Sequence, residues 1–287
     1  MDKKQIVATF SIVGFDPATG EHGVAVQSKF IAVGSVVPWA KAGIGAVATQ
    51  AFGNPSFGPR GLELLGAGKT PDEVIQLLLE NDPDREERQV GIVDAKGNSA
   101  TYTGKKCFDW AGGMQGENYA AQGNILVNKE TVTEMGKAFE TAEGSLTDRL
   151  LKSLQAAQQA GGDSRGKQSA AIYVVKEKGG YGGFNDRLVD LRVDDHPEPI
   201  DELIRLYKLQ QLYFGETKQE NILTIEGSIR QEVAEALVKK GYLENKEVSN
   251  SKFYEAFTTY LHTENFEERE LKKGKIDKEV LEFMRNL

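Results

Sequence analysis

The side chains best suited to catalysis are few in this chain and lie far apart. It has one cysteine, Cys107, and three histidines, His22, His196 and His262. A single thiol without a nearby histidine is weak evidence for a nucleophile. The histidines show none of the spacings that hold zinc. We therefore expect no metal and no cofactor, and the single cysteine excludes an internal disulfide.

Two common catalytic motifs are missing from the sequence. It has neither the glycine-rich loop that cradles nucleotide phosphates nor the G-x-S-x-G turn of serine hydrolases. Glycoside hydrolysis by a pair of carboxylates is not excluded, because an acidic chain offers many such pairs. Nothing in the sequence selects one of them. Glycines flank Asp163 and Arg165 in segment 162–166. This segment fits either a polar site or a simple helix stop with an ordinary ion pair.

The elements that position such residues begin with strands. Residues 6–15 and 23–28 form apolar runs around a turn at 16–20 that contains proline and glycine. Two further runs, 31–37 and 44–51, are also apolar and rich in β-branched residues. The first part of the chain therefore predicts an antiparallel sheet.

Helices interrupt the strands twice. Capping patterns predict helices that start at Thr70, Thr131 and Ser145, each with an acidic residue three positions on. A shorter helix is expected at about 59–65. The remaining strands are expected at 89–94, 99–103, 119–127, 169–175 and 187–193.

This order predicts an α+β protein. Each helix pair can cover one outer face of two stacked sheets, which gives a four-layer α-β-β-α sandwich. Glycines become sparse after Gly183, and long charged helical patterns dominate the end of the chain. We therefore expect a sandwich domain over residues 1–197 and a small all-α domain over 198–287. Its helices are expected near 200–213, 228–240, 251–262 and 277–286.

Several strings between residues 8 and 210 are specific enough to recognise. They are 9–13, 23–30, 36–43, 48–51, 54–55, 122–124, 162–171 and 190–197. Together they resemble a bacterial family of unknown function that is grouped with the N-terminal-nucleophile (Ntn) hydrolases. The resemblance implies the Ntn type of α-β-β-α sandwich and hydrolysis of an amide bond in a small amide or peptide-like substrate.

Ntn hydrolases attack with the hydroxyl or thiol of an N-terminal residue, whose free α-amine has a pKa of about 8 and acts as the base. The resemblance gives this role to Thr9, once the Ala8–Thr9 bond is cut or translation starts later. While that bond is intact, Thr9 has no amine. The alternative is that Thr9 is an ordinary β-branched strand residue.

The resemblance also implies partners for this nucleophile. Lys29 would lower the pKa of the nucleophile and stabilise the oxyanion, with Lys41 as the alternative lysine. Asp163 and Ser169 complete the predicted catalytic set by orienting the amine. The residues expected to contact the substrate are Ser11, Ser28, Gln50, Asn54, Asn124 and Arg165.

The end of the chain resembles small helical modules that bind peptidoglycan. The matching positions are 241–242, 253–260, 264–267 and 276–284. Such modules work outside the cytoplasm, whereas the first residues lack the continuous apolar core of a signal peptide. We therefore expect a cytoplasmic location and keep a peptidoglycan fragment as a possible ligand.

The overall composition argues against two further kinds of partner, nucleic acid and membrane. The net charge of -8 argues against nucleic acid, since phosphate binding needs a basic surface. No stretch approaches the roughly 20 apolar residues of a membrane span. Self-association is compatible with the expected fold. A catalytically silent binding or scaffold protein with the same sandwich is the main alternative to an enzyme.

Overall fold

The computed structural model describes residues 9–286 and divides into two compact units between Ile204 and Arg205. Each unit is described by itself. The first three residues of the strand predicted at 6–15 lie outside the described residues. The domain boundary that the sequence predicts at residue 197 stays a prediction.

Two antiparallel sheets form the centre of the first unit. The larger sheet has the strand order β10-β9-β2-β1-β8-β7, and the smaller has the order β3-β4-β5-β6. Their bounds are β1 (Thr9–Asp16), β2 (Glu21–Ser28), β3 (Pro38–Lys41), β4 (Gly45–Ala51), β5 (Arg88–Asp94), β6 (Ser99–Thr103), β7 (Gly112–Gly116), β8 (Tyr119–Asn124), β9 (Ser169–Val175) and β10 (Arg187–Val193).

Four helices flank these sheets. They are α1 (Phe57–Gly66), α2 (Pro71–Leu79), α3 (Glu130–Thr141) and α4 (Leu146–Gln159). α1 and α2 contact the smaller sheet, α3 and α4 contact the larger one, and β1 and β2 contact β4 across the gap between the sheets. Buried valines and alanines, including Val13, Val26 and Ala48, fill that gap. The predicted α+β class with antiparallel sheets is confirmed.

Local capping patterns predicted two helix starts correctly. Thr70 and Ser145 each form a capping box, in which the hydroxyl accepts a hydrogen bond from the backbone three residues on and the acidic side chain there binds back. The start predicted at Thr131 is wrong. The side chain of Asn128 caps this helix instead, because its Oδ1 accepts a hydrogen bond from the Thr131 backbone N–H at 3.0 Å.

The strand predicted at 31–37 is also wrong. This segment forms a short 3₁₀ turn at Val33–Ser35, and Ala32 before it has a left-handed backbone with φ of 52°. Ser169 holds the turn, because its hydroxyl donates to the Phe30 carbonyl and accepts from the Val33 N–H. The apolar side chains of Val33 and Val37 are buried all the same, which is why the sequence suggested a strand.

The second unit is mainly helical. Its elements are the end of α5 (Pro199–Phe214), β11 (Ile222–Thr224), α6 (Gly227–Lys239), α7 (Asn250–Thr263), β12 (Lys275–Asp277) and α8 (Lys278–Arg285). β11 and β12 form an antiparallel pair, so the prediction of an all-α domain is wrong in this detail. The buried core includes Phe253, Tyr260 and Phe266.

A buried arginine connects the segments of this second unit. The Arg269 guanidinium donates to Asp277 at 2.9 Å and to the carbonyl of Leu212 at 2.8 Å, and it also reaches Glu279. These partners satisfy a charge that would be costly to bury alone. None of the helices within residues 9–286 has the length and apolar content needed to cross a bilayer.

One buried histidine lies at the opposite end of β1 and β2 from Thr9. His22 is 1% exposed and stacks on Phe15 with ring centroids 4.6 Å apart. Burial lowers the pKa of His22 from its ordinary 6.5 to about 4, because the apolar surroundings disfavour the charged imidazolium.

Replacing His22 with phenylalanine should remove a pH-dependent loss of stability. The unfolded chain binds a proton near pH 6.5, whereas folded His22 stays neutral down to about pH 4, so stability falls as the pH is lowered through this window. The two pKa values correspond to roughly 3 kcal/mol. Urea unfolding of wild type and His22→Phe across this range measures the difference. The same pH dependence in wild type and His22→Phe would contradict the expectation.

Candidate functional site

A row of polar residues crosses the larger sheet at one end. Thr9 pairs in register with Ser28 on one side and Asn124 on the other, and Ser28 pairs with Ser169. All four side chains are buried. Directly opposed residues of a sheet point to the same face, so four of the predicted site residues lie side by side on the face that meets the smaller sheet.

Thr9 is held on both its side chain and its backbone. Its hydroxyl donates a hydrogen bond to Ser28 Oγ at 3.2 Å, and its carbonyl accepts one from Gln50 Nε2 at 3.3 Å. The residue is 0% exposed. In the intact chain, a substrate therefore has no direct access to the Thr9 hydroxyl.

Beside Thr9, the Asn124 side chain is only partly hydrogen bonded. Its amide nitrogen donates to Gln89 Oε1 at 2.9 Å. Its buried Oδ1 has no hydrogen-bond partner among the residues that the structure describes. Most buried polar atoms are paired, so this acceptor at the end of a central strand is an unusual feature of the row.

An amide network connects the polar row to the smaller sheet. It consists of Gln50, Gln89, Gln122 and the Ser11 hydroxyl. The Ser11 hydroxyl donates to Gln50 Oε1 at 2.6 Å and accepts from Gln122 Nε2 at 2.7 Å. Gln50 Nε2 donates to Gln89 Oε1 at 2.8 Å, and Gln89 Nε2 donates to the Gly123 carbonyl at 2.7 Å. These groups are buried between the sheets, where an unpaired polar group is costly, so each hydrogen bond contributes to stability.

The sequence did not predict Gln89 and Gln122 as site residues. The sequence placed both glutamines in strands, where the structure has them, but it gave neither a role in the site. The available signal was a glutamine within an otherwise apolar strand. A glycine makes the close approach possible: a Cβ on Gly91 would lie 2.0 Å from Gln122 Oε1.

Asp163 and Ser169 fix the loop that follows β2. The buried Asp163 carboxylate accepts from the Lys29 backbone N–H at 2.9 Å and from the Arg165 guanidinium at 3.0 Å. Ser169 binds the backbone at Phe30 and Val33. Both residues therefore set the course of the chain just beyond Ser28.

The predicted lysines lie away from the Thr9 hydroxyl. The exposed Lys29 ammonium donates to the Lys167 carbonyl at 3.2 Å. Lys41 pairs with Gly45, at the end of the smaller sheet opposite Gln50. Asn54 uses its Oδ1 to accept from the Ser56 N–H at 3.1 Å, beside the start of α1 and outside the amide network.

Backbone strain is present at the same end of the sheets. Ala51 ends β4 with φ of 65°, and Ile125 follows Asn124 with φ of 53°. Ala32, in the loop anchored by Ser169, has φ of 52°. L-residues, and β-branched ones above all, avoid this left-handed region, and such positions cluster at functional sites.

Other catalytic groups find little support in the described residues. Within residues 9–286, no group of three or more histidine, cysteine, aspartate or glutamate side chains is arranged to hold a metal ion. Burial raises the pKa of Cys107 to about 11. This thiol therefore stays protonated near neutral pH, and a protonated thiol is a poor nucleophile.

Residues 9–203 match the model of a family of unknown function, DUF1028. This match covers more than half of the chain. The chain belongs to this family. A crystal structure of a DUF1028 protein from Silicibacter pomeroyi is 30% identical, with a TM-score of 0.64. The match covers 71% of this chain and 89% of that one.

A second match falls at the other end of the chain. Residues 213–284 match a family described as "Putative peptidoglycan binding domain". No curated protein matches the chain. DUF1028 is a family of unknown function, so the match to it assigns no reaction.

Replacing Gln50 with leucine should destabilise the first unit by about 2–4 kcal/mol. It removes the acceptor of the buried Ser11 hydroxyl and one of the two side-chain donors to Gln89 Oε1. Gln76→Leu is the matched control, since Gln76 is exposed on α2. The control should change stability by less than about 0.5 kcal/mol. Urea unfolding measures both. Equal stability of wild type and Gln50→Leu would show that the amide network contributes nothing.

Proposed function

We propose that the first unit, which contains the DUF1028 match, is an Ntn-type amide hydrolase. Its nucleophile is Thr9, and its substrate is a small amide or peptide-like molecule. The observation that carries the proposal is the position of Thr9. It opens a central strand, its hydroxyl is hydrogen bonded to Ser28, and the buried Asn124 side chain beside it has an unpaired acceptor. The DUF1028 match also begins at Thr9.

The chemistry requires cleavage of the Ala8–Thr9 bond. The new α-amine would take the proton of the Thr9 hydroxyl while the oxygen attacks the substrate carbonyl. The C–N bond then breaks, the protonated amine leaves, and an acyl ester remains on Thr9. Water hydrolyses this ester, which releases the acid and restores the hydroxyl.

Neighbouring residues have defined roles in this proposal. Asn124 Oδ1 accepts a hydrogen bond from the freed amine and orients it. Ser28 holds the Thr9 hydroxyl. Asp163 and Ser169 act as positioning residues, since they fix the loop beside the row. Lys29 follows Ser28 at the same end of the sheet, and its ammonium would favour developing negative charge only after leaving the Lys167 carbonyl that it contacts in the intact chain.

Two further features support an Ntn-type site. Helix pairs lie on the outer sides of two facing antiparallel sheets, which is the arrangement that the Ntn type implies. Thr9 is buried in the intact chain, which suits a precursor that is inactive until it is cut. The competing function is a silent binding protein, in which the polar row only holds the sheets together.

Protein purified from its native host should lack residues 1–8, which intact-mass measurement detects. A fusion protein cut by a protease that leaves Thr9 first should hydrolyse members of a panel of small amides. Thr9→Ala should lower that rate about a thousandfold or more, because it removes the nucleophile. Thr9→Ser, which keeps a hydroxyl, should retain activity.

Covalent labelling gives a second readout that does not depend on the natural substrate. A β-lactone probe should add its mass to the peptide that begins at Thr9, and Thr9→Ala should abolish the label. A full-length chain in the host, together with an unlabelled and inactive Thr9-first form, would favour the silent binding protein.

A second function belongs to the other unit. We propose that residues 213–284 bind peptidoglycan or its fragments, on the basis of the match to the peptidoglycan binding family. The unit also has open grooves on both sides of the exposed face of α7. A long polymer needs such an extended surface rather than a closed cavity.

The full chain should sediment with purified peptidoglycan and stay in solution without it. Sedimentation followed by gel analysis measures this. Thr9→Ala should sediment equally well, since it lies in the other unit. A chain that remains in the supernatant at every peptidoglycan concentration would end this proposal.

A further inference from the structure

One groove of the second unit has a distinctive lining. It runs between α7 and segment 270–275 and has a volume of about 400 Å³. Its walls carry the Tyr254 ring, the Thr258 hydroxyl and two lysines, Lys273 and Lys275. This size lies within the usual range of ligand sites, about 300–1,000 Å³.

The two lysines of the groove differ from those lysines of the same unit that form ion pairs. The Lys273 ammonium lies 5.1 Å from the centre of the Tyr254 ring, and the Lys275 ammonium donates to Thr224 Oγ1 at 2.7 Å. Neither forms an ion pair with a described residue. By contrast, Lys246 pairs with Glu235, and Lys278 lies 3.8 Å from Glu282. The groove thus offers two ammonium groups that form no ion pair with a described carboxylate.

Two carboxylates also line the groove, and they differ in their pairing. Glu270 Oε2 lies 2.8 Å from His262 Nε2. Glu255 is exposed on α7 and has no ion-pair partner among the described residues. The groove therefore presents two cations and one anion to a ligand, together with a hydroxyl and an aromatic ring.

We infer that this groove binds the peptide part of peptidoglycan rather than its sugar chain. The inference rests on the proposed peptidoglycan binding. The short peptides of the polymer carry free carboxylates, which suit Lys273 and Lys275, and a diamino acid, whose ammonium suits Glu255. Charge-assisted hydrogen bonds of this kind are the stronger ones. The neutral sugar hydroxyls carry no charge that would attract the two ammonium groups in the same way.

The test compares two polymers. The full chain should sediment with intact peptidoglycan and bind at least about tenfold more weakly to glycan strands stripped of peptides by an amidase. The double variant Lys273→Gln/Lys275→Gln should weaken binding to the intact polymer by about tenfold. Added salt should weaken the wild type more than this variant, because salt screens exposed charges.

Lys246→Gln/Lys278→Gln is the matched control. It removes the same charge from lysines that have carboxylate partners in the same unit, so it should bind like the wild type. Thermal unfolding checks that both double variants are folded. If a double variant does not fold, its two single variants are tested in its place.

The outcomes separate this inference from the function on which it rests. Equal binding to intact and stripped polymer, or full binding by the Lys273/Lys275 variant, would overturn the peptide assignment while peptidoglycan binding stands. If the wild type binds neither polymer, peptidoglycan binding itself is wrong, and the groove loses its proposed ligand.

Discussion

The buried amide network between the two sheets is the constraint on which the first unit depends. Gln50 and Gln89 come from the smaller sheet, and Ser11 and Gln122 come from the larger one. Buried polar groups are costly unless each has a hydrogen-bond partner. The strands that carry them therefore have little freedom to change register within their sheets, since a shift by one residue would turn these side chains to the opposite face. Thr9 holds its place because Gln50 binds its carbonyl.

The end of the sheets that carries Thr9 has both strained backbone positions and a loop held by side-chain hydrogen bonds. Left-handed residues at Ala51 and Ile125 redirect the chain where strands end, and Asp163 binds the backbone of the loop after β2. A purely structural layer does not require such loops. In the proposed enzyme they have a purpose, because they bring three connections around one buried threonine. In that enzyme, the burial of Thr9 in the intact chain would keep its hydroxyl from a substrate.

The second unit is stabilised in a different way, through one buried arginine. The buried Arg269 guanidinium connects α5 to β12 and α8 through hydrogen bonds. With the interior stabilised in this way, the exposed face of α7 and the neighbouring lysines need not form ion pairs for stability. Surface ion pairs contribute little in any case. In the proposed groove, Lys273 and Lys275 would be available to a ligand.

The sequence by itself determined the features that depend on near neighbours. The capping boxes at Thr70 and Ser145 were predicted correctly because their partners lie three residues away. Tertiary structure decided the rest. Residues 31–37 form a turn because Ser169 binds it from 136 residues further along the chain. Gln122 joins Ser11 across 111 residues. Hydrogen bonds between such distant residues leave no periodic pattern in the sequence, so only the folded chain reveals them.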